Sequence, residues 1–221
     1  MITKLVVFGI TPFAEMVAHA FETRLGHEVV AQVAHRRFLP SVWTAPRPLV
    51  AFEEIETRFH PTEHQIFIAL EHSRNNLARS EISIAARAKG YRLASFVDPS
   101  ASLAPGVLVG DHCLILHNVV AQYGVEIGSN VIVGANCFFG QNARIGEDGY
   151  YGSGVFVDRF ARIGRNCVLG SQVRVAEGAE IHAWTYIKSF QTIEASIQRP
   201  TLIHPGLRRP GRIVDRRRRT V

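Results

Sequence analysis

The chain has 221 residues, 47% of them apolar, a formal net charge of +6 and three cysteines. This length and apolar fraction suit one or two domains with a sizeable core, and no run of eighteen apolar residues is present to span a membrane. The charge belongs to the tail: Arg208, Arg209, Arg212 and Arg216 to Arg219 crowd the last fourteen residues and leave the rest near neutral, so nothing marks the body as a nucleic-acid binder.

From the start, Lys4 to Phe8 is a continuous apolar, β-branched run and predicts a buried parallel strand. It lacks the basic, apolar and small-residue order of a signal peptide, so the cytoplasm is the expected location. Gly9 ends the strand, and Pro12 suits the first turn of a helix. Phe13, Met16, Val17, Ala20 and Phe21 then recur at helical spacing up to Gly26, and Glu28 to Val33 predicts a second strand. Strand, glycine turn, helix and strand make a βαβ unit of Rossmann-like type. The turn carries one glycine, and no acid follows the second strand; His35, Arg36 and Arg37 stand there instead. A dinucleotide cofactor is therefore not expected. The arginine pair either meets a phosphate or is simply solvated. If this turn binds part of a substrate, Gly9, Thr11, His35 and Arg36 are its candidate residues.

Phe38 to Pro48 reads as a loop with three prolines, and Phe52 to Phe59 as a short helix. Gln65 to Leu70 predicts a third strand, Asn76 to Lys89 an amphipathic helix stopped by Gly90, and Tyr91 to Val97 a fourth strand. The expected domains are residues 1–96, 97–197 and a C-terminal extension, 198–221.

From Val97 to Ile193 every sixth residue is apolar: Leu103, Val109, Ile115, Ala121 and so on, without an insertion. Four places after the apolar residue lies, at most steps, a small or β-branched residue, as with Val107, Cys113, Val119 and Val125. Glycine often follows the apolar residue, as at Gly110, Gly128, Gly134 and Gly140. A hexapeptide period predicts a β-helix. Eighteen residues make one triangular turn of the left-handed form, the apolar and small residues point inward, and the glycines are expected where the chain turns. All three cysteines fall on inward positions; Cys113 and Cys167 share a face three coils apart, roughly 14 Å, too far for a disulfide. After Ile193 the period ends, and residues 198–210 are expected to wrap back over the last coils. The basic tail reads as a solvated terminus rather than an arm for lipid or nucleic acid.

Val6, Phe8 and Gly9, the segments Pro48 to Ile55, Gly90 to Ser95 and Cys113 to Leu116, and the hexads together resemble the sialic-acid O-acetyltransferase and sugar-nucleotide N-acetyltransferase family. The resemblance covers residues 1 to about 195 and specifies fold better than substrate. It implies a homotrimer with sites between neighbouring β-helices, acyl-coenzyme A (acetyl-CoA) as co-substrate lying along the coils, and a sugar or nucleotide-sugar acceptor in surface polysaccharide biosynthesis. Gly152, Ser153, Gly154, Gly170 and Ser171 are the positions it implies for the coenzyme. A family histidine acts as base and a glycine amide as oxyanion donor. Here the motif Ile-Gly-His-His aligns with Phe139, Gly140, Gln141 and Asn142. The base position is therefore Gln141, which cannot accept a proton near neutral pH. A family glycine aligns with Arg159, and a further family histidine with Gly154.

The catalytic candidates are then Gln141, Asn142, Asp158 and Arg159. His117 holds the same place in its hexad as Gln141 but on another face, and reads as a surface histidine. His112 and His117 are five apart, a zinc-like spacing, but no third histidine is placed to join them; His182 lies roughly 19 Å away. No metal is expected. The leading expectation is an acyl-CoA-dependent sugar N- or O-acyltransferase with an atypical site. The competing one is a non-catalytic, sugar-nucleotide-binding or scaffold trimer.

Overall fold

The structure is a computed structural model and describes residues 3–207 and 210–212. It divides into two compact units, Met1–Pro99 and Ser100–Val221.

The N-terminal unit holds β1 (Lys4–Phe8), α1 (Pro12–Leu25), β2 (Glu28–Ala34), β3 (Leu49–Ala51), α2 (Ile55–Arg58), β4 (His64–Ile68), α3 (Leu77–Ala88) and β5 (Arg92–Leu93). Its five strands are all parallel, in the order β3-β2-β1-β4-β5. Side chains alternate across the sheet. Val6, Phe8, Val33, Ile66 and Ile68 pack on one face with Phe52, Ile55 and Ala86. Phe21 of α1 meets Phe67, ring centroids 5.4 Å apart, and Phe96, at 5.3 Å. Thr11 caps α1, its hydroxyl accepting from the Ala14 N–H at 3.3 Å, and Gly26 closes it with φ +67°. The expected strand from Tyr91 to Val97 is in fact two short strands, β5 and Phe96–Val97.

The second unit is a left-handed parallel β-helix. Two-residue strands recur every six residues, and each pairs in parallel with the strand eighteen residues on, as Val120 with Phe138 and Ile132 with Tyr150. Three faces result. The first runs from Ser102–Leu103 to Thr192–Ile193, the second from Leu108–Val109 to Glu180–Ile181, and the third from Leu114–Ile115 through Tyr186–Ile187. The sixfold apolar residues point inward and are buried from Ile115 onward. Where Phe139 and Tyr151 meet edge to face at 5.8 Å, the column beside them holds Gly149; a Cβ there would stand 2.6 Å from the Tyr151 ring.

Two features differ from the sequence reading. The glycines that follow the apolar residues are not at the turns. The left-handed backbone that turns the chain falls two places later, at every sixth residue from Gly106 to Phe190. Glycine, asparagine or aspartate fill most of these places, since they adopt this conformation at least cost. The other glycines answer to close approach. A Cβ on Gly140 would lie 2.5 Å from the Arg159 nitrogen, and one on Gly152 would lie 2.5 Å from that of Ser171. Secondly, residues past Ile193 extend the coil rather than wrapping over it. Ile197 bridges to Ile181, and Thr201–Ile203 pairs with Tyr186–Ile187 in parallel, each sixteen residues on instead of eighteen. A last strand, Gly211–Arg212, pairs antiparallel with Thr201–Ile203. The remaining arginines of the tail lie outside the described residues.

The three thiols are buried and form no disulfide, and each donates to a carbonyl one rung on: Cys113 to Gly128, Cys137 to Gly152 and Cys167 to His182, at 3.1–3.3 Å. Burial pushes Cys137 and Cys167 up to about 12. The folded protein is therefore expected to resist alkylation by iodoacetamide at pH 8 at Cys137 and Cys167, and to react there once unfolded in guanidinium, as read by mass spectrometry. Gly146→Ala, whose Cβ would meet the Arg165 nitrogen at 2.6 Å, is expected to lose about 2–3 kcal/mol in urea unfolding. Gly178→Asn, at φ +66° with nothing within 4 Å, is expected to stay within about 0.5 kcal/mol.

Candidate active site

The N-terminal unit offers a cleft at the carboxyl ends of β1, β2 and β4. Strands β2 and β3 lie to one side of β1, and β4 and β5 to the other, so the cleft sits at the switch point of the sheet. Its volume is about 790 Å³, and Gly9, Thr11, His35, Arg37, Phe38 and Arg74 are among its walls. Gly9 has φ +145°, and a Cβ there would lie 2.7 Å from Ala14 Cβ and 2.8 Å from the Ala69 carbonyl. Only glycine lets the chain leave β1 here. Pro12 brings no N–H to the helix start, and Thr11 takes that of Ala14. The bare amide cradle of a dinucleotide site is therefore reduced.

Of the four expected residues, Gly9, Thr11 and His35 line this cleft. Arg36 does not: its guanidinium pairs with Glu54, and Arg37 lines the wall in its place. His35 Nδ1 lies 2.8 Å from Glu53 Oε1, and the Arg36 N–H donates to Glu53 Oε2 at 3.0 Å. Burial raises the Glu53 carboxyl, but these hydrogen bonds outweigh it and hold the group down at about 2. The carboxylate is thus fixed in its charged form and orients the His35 ring from behind the cleft wall. Arg74, Asn75 and Asn76 each have a left-handed backbone, with φ of 50°, 48° and 67°. Arg74 pairs with Glu81 at 2.7 Å. The sequence reading weighed Arg37 only as half of an arginine pair and left it off the candidate residues, and it missed Phe38 and Arg74. The polar run His72 to Asn76 directly after a buried strand was the available signal.

On the β-helix the expected residues fall on two different edges. The edge between the first and second faces stacks Tyr123, Gln141, Arg159 and Glu177, one per rung, eighteen residues apart. Their backbones are laced together: Asn142 N–H donates to the Tyr123 carbonyl, Phe160 N–H to that of Gln141 and Gly178 N–H to that of Arg159, at 2.9–3.0 Å. The Gln141 N–H is held by Gln122 Oε1 at 3.0 Å, while its side chain stands on the exposed edge. Asp158 Oδ1 accepts from the Arg159 N–H at 2.8 Å, and Arg159 Nη2 pairs with Glu177 Oε2 at 2.8 Å. Asn142 turns its Oδ1 towards Gly124, which has no Cβ to obstruct it. Gln141, Asn142, Asp158 and Arg159 are thus brought together on adjacent rungs.

Gly152, Ser153, Gly154, Gly170 and Ser171 share the edge between the third and first faces, with His117 two rungs below Ser153 and Ser189 one rung above Ser171. Glycine recurs there at 134, 152 and 170, where the backbone of the next rung takes up the place of a Cβ. The first face separates the two edges within one chain. Its outward side chains include Phe138 and Phe156, stacked at 4.6 Å and 14°, and Arg174, 4.1 Å above the Phe156 ring. His112 is buried with Nδ1 2.8 Å from Asn130 Oδ1, and belongs to a ladder of turn residues rather than to a site. Among the described residues, no group of three or more His, Cys, Asp or Glu side chains is arranged to hold a metal ion.

The model for the bacterial transferase hexapeptide (six repeats) matches residues 106–148. No curated protein matches the chain. Among solved structures, it is similar to the acetyltransferase domain of PglB from Neisseria gonorrhoeae FA1090, at 20% identity over 90% of this chain and 95% of that one, with a TM-score of 0.79. The same domain in complex with acetyl coenzyme A gives 19% identity, 91% and 96% coverage and a TM-score of 0.79. PerB from Caulobacter crescentus, in complex with CoA and GDP-perosamine, gives 21% identity, 91% and 94% coverage and a TM-score of 0.80. At these identities the likeness is one of fold: an α/β unit followed by a left-handed β-helix, along nearly the full length of each chain.

Proposed function

We propose that this protein transfers an acyl group, acetyl in the simplest case, from acyl-CoA to a sugar or nucleotide-sugar in surface polysaccharide biosynthesis. The observation that carries the reading is the pairing, in one chain, of a switch-point cleft with a β-helix whose edge stacks Gln141 and Arg159. Solved structures of the same fold support it: the acetyltransferase domain of PglB holds acetyl coenzyme A, and PerB holds CoA and GDP-perosamine. The coenzyme's place in this reading is the edge of Gly152, Ser153, Gly154, Gly170 and Ser171, where short hydroxyls rather than bulky side chains leave room for a narrow pantetheine arm. Gly9, Thr11, His35 and Arg37 take the nucleotide part of the acceptor. The assembly is a homotrimer in the cytoplasm, and the apolar outward residues of the first face support contact between copies.

Gln141 supplies an acceptor and a donor but no base. The acceptor amine therefore arrives already unprotonated. Its nitrogen attacks the thioester carbonyl, the C–N bond forms, the C–S bond breaks, and the amine proton ends on the departing thiolate. The Gln141 Oε1 orients an amine N–H, and positioning supplies most of the rate. A second reading, binding without turnover, is favoured by the amide at the base position and by the Arg159–Glu177 pair beside it.

Thiol release from acetyl-CoA, measured against a panel of nucleotide-linked amino sugars, tests the proposal. Release with at least one acceptor is expected; binding of a nucleotide-sugar with no release would favour the second reading. Gln141→His is expected to raise the rate by about 100-fold and to make it fall below about pH 6.5, as the new imidazole is protonated.

A further inference from the structure

We infer that His35 is a specificity-determining residue that reads the 2′-hydroxyl of a ribonucleotide, and that Glu53 is the positioning residue behind it. This rests on the reading of the N-terminal cleft as a nucleotide site, and not on whether acyl transfer follows. In a doubly wound sheet the ribose hydroxyl is held by an acid at the carboxyl end of the second strand. This chain has no acid there: β2 ends in Val33 and Ala34, and His35 follows. The carboxylate comes from the neighbouring strand instead. β2 and β3 pair in parallel with Ala34 beside Ala51. The two chains therefore leave the sheet side by side, and the 3-10 turn Phe52–Glu54 carries Glu53 to the imidazole. Both carboxylate oxygens are engaged, Oε1 by His35 Nδ1 at 2.8 Å and Oε2 by the Arg36 N–H at 3.0 Å. The buried rings of Phe8 and Phe52 meet the imidazole edge to face, with centroids at 5.6 and 5.5 Å, and fix its plane.

An ionised carboxylate only accepts hydrogen bonds, so Nδ1 carries the hydrogen. In the neutral ring Nε2 is then left as an acceptor. The two ring nitrogens point to opposite sides. His35 is a wall of the cleft and Glu53 is not, so Nε2 faces the cleft. Among the described residues, none hydrogen-bonds to Nε2. A cleft acceptor at this place suits a donor, which a hydroxyl is and a phosphate oxygen is not. The negative charge behind the ring strengthens Nε2 as an acceptor and disfavours an anion in front of it. The arginine next in the chain, where a 2′-phosphate would be met, is Arg36; it pairs with Glu54 and does not line the cleft. His35 thus passes the acid's preference for a ribose hydroxyl outward by the width of one imidazole.

Calorimetric titration of the full chain with UDP, GDP and their 2′-deoxy counterparts tests the inference. Each ribonucleotide is expected to bind about tenfold more tightly than its deoxy counterpart, whichever the base. His35→Phe keeps a ring against Phe8 and Phe52 but removes the acceptor. It is expected to weaken ribonucleotide binding about tenfold and to leave the deoxynucleotides unchanged. Imidazole nitrogen NMR reads the positioning role, with the His35 signals assigned by their loss in His35→Phe. The hydrogen is expected on Nδ1, and the Nε2 signal is expected to move with UDP but not with its deoxy counterpart. Glu53→Gln, whose amide can donate as well as accept, is expected to give a mixture of tautomers; a merely structural Glu53 would leave the tautomer unmoved. Equal affinity for ribo- and deoxynucleotides, a preference that survives His35→Phe, or a hydrogen on Nε2 would each overturn the inference and leave the acyl-transfer reading standing. A chain that binds none of these nucleotides would overturn both.

Discussion

Each rung of the β-helix rests on the backbone of the rung below, about 4.8 Å away. At the edges the approach leaves no room for a Cβ: at Gly128, Gly134, Gly146, Gly164 and Gly170 an added carbon would meet backbone nitrogen at 2.4–2.7 Å. The stacking is therefore set by where side chains are missing as much as by the inward Ile, Val and Leu residues. It also fixes function, because a rung that cannot slide holds every outward residue at a set height. Residues eighteen apart in sequence become neighbours in a column, and a site is written along an edge rather than within one loop.

That arrangement separates tasks. Inward positions are uniform and closed; the thiols there are spent on carbonyls of the next rung, and burial keeps those of Cys137 and Cys167 protonated. Outward positions vary freely. The second face carries the ion pairs Glu126–Arg144 and Arg162–Glu180, while the first carries stacked aromatic rings. Exposed pairs of this kind contribute little to stability, so the prism's strength lies in its core and ladders.

Much of this was legible in the sequence. The sixfold period gave the coil, its inward residues and the eighteen-residue columns that join Gln141 to Arg159. The turn positions were legible too, since Asn118, Asn130, Asn136, Asn142, Asp148 and Asn166 recur at the same place. They were overlooked because the more frequent glycines two places earlier invite the same explanation. The continuation past Ile193 was hidden by a loss of two residues, which breaks the period although the pairing of Ile203 with Ile187 survives. At the N-terminal cleft, Arg36 and Arg37 cannot be told apart by pattern. A single turn of 3-10 helix, Arg36–Phe38, sends one to Glu54 and the other to the cleft.

The account stands on the claim that the glycine-lined edges of the prism are its working surface. A crystal structure of the protein soaked with coenzyme A tests it most directly. The account predicts the pantetheine arm against Gly152, Ser153, Gly170 and Ser171, with its sulfur directed to the rung of a Gln141 side chain. Coenzyme A bound away from these edges, or excluded from them at saturating concentration, would contradict it.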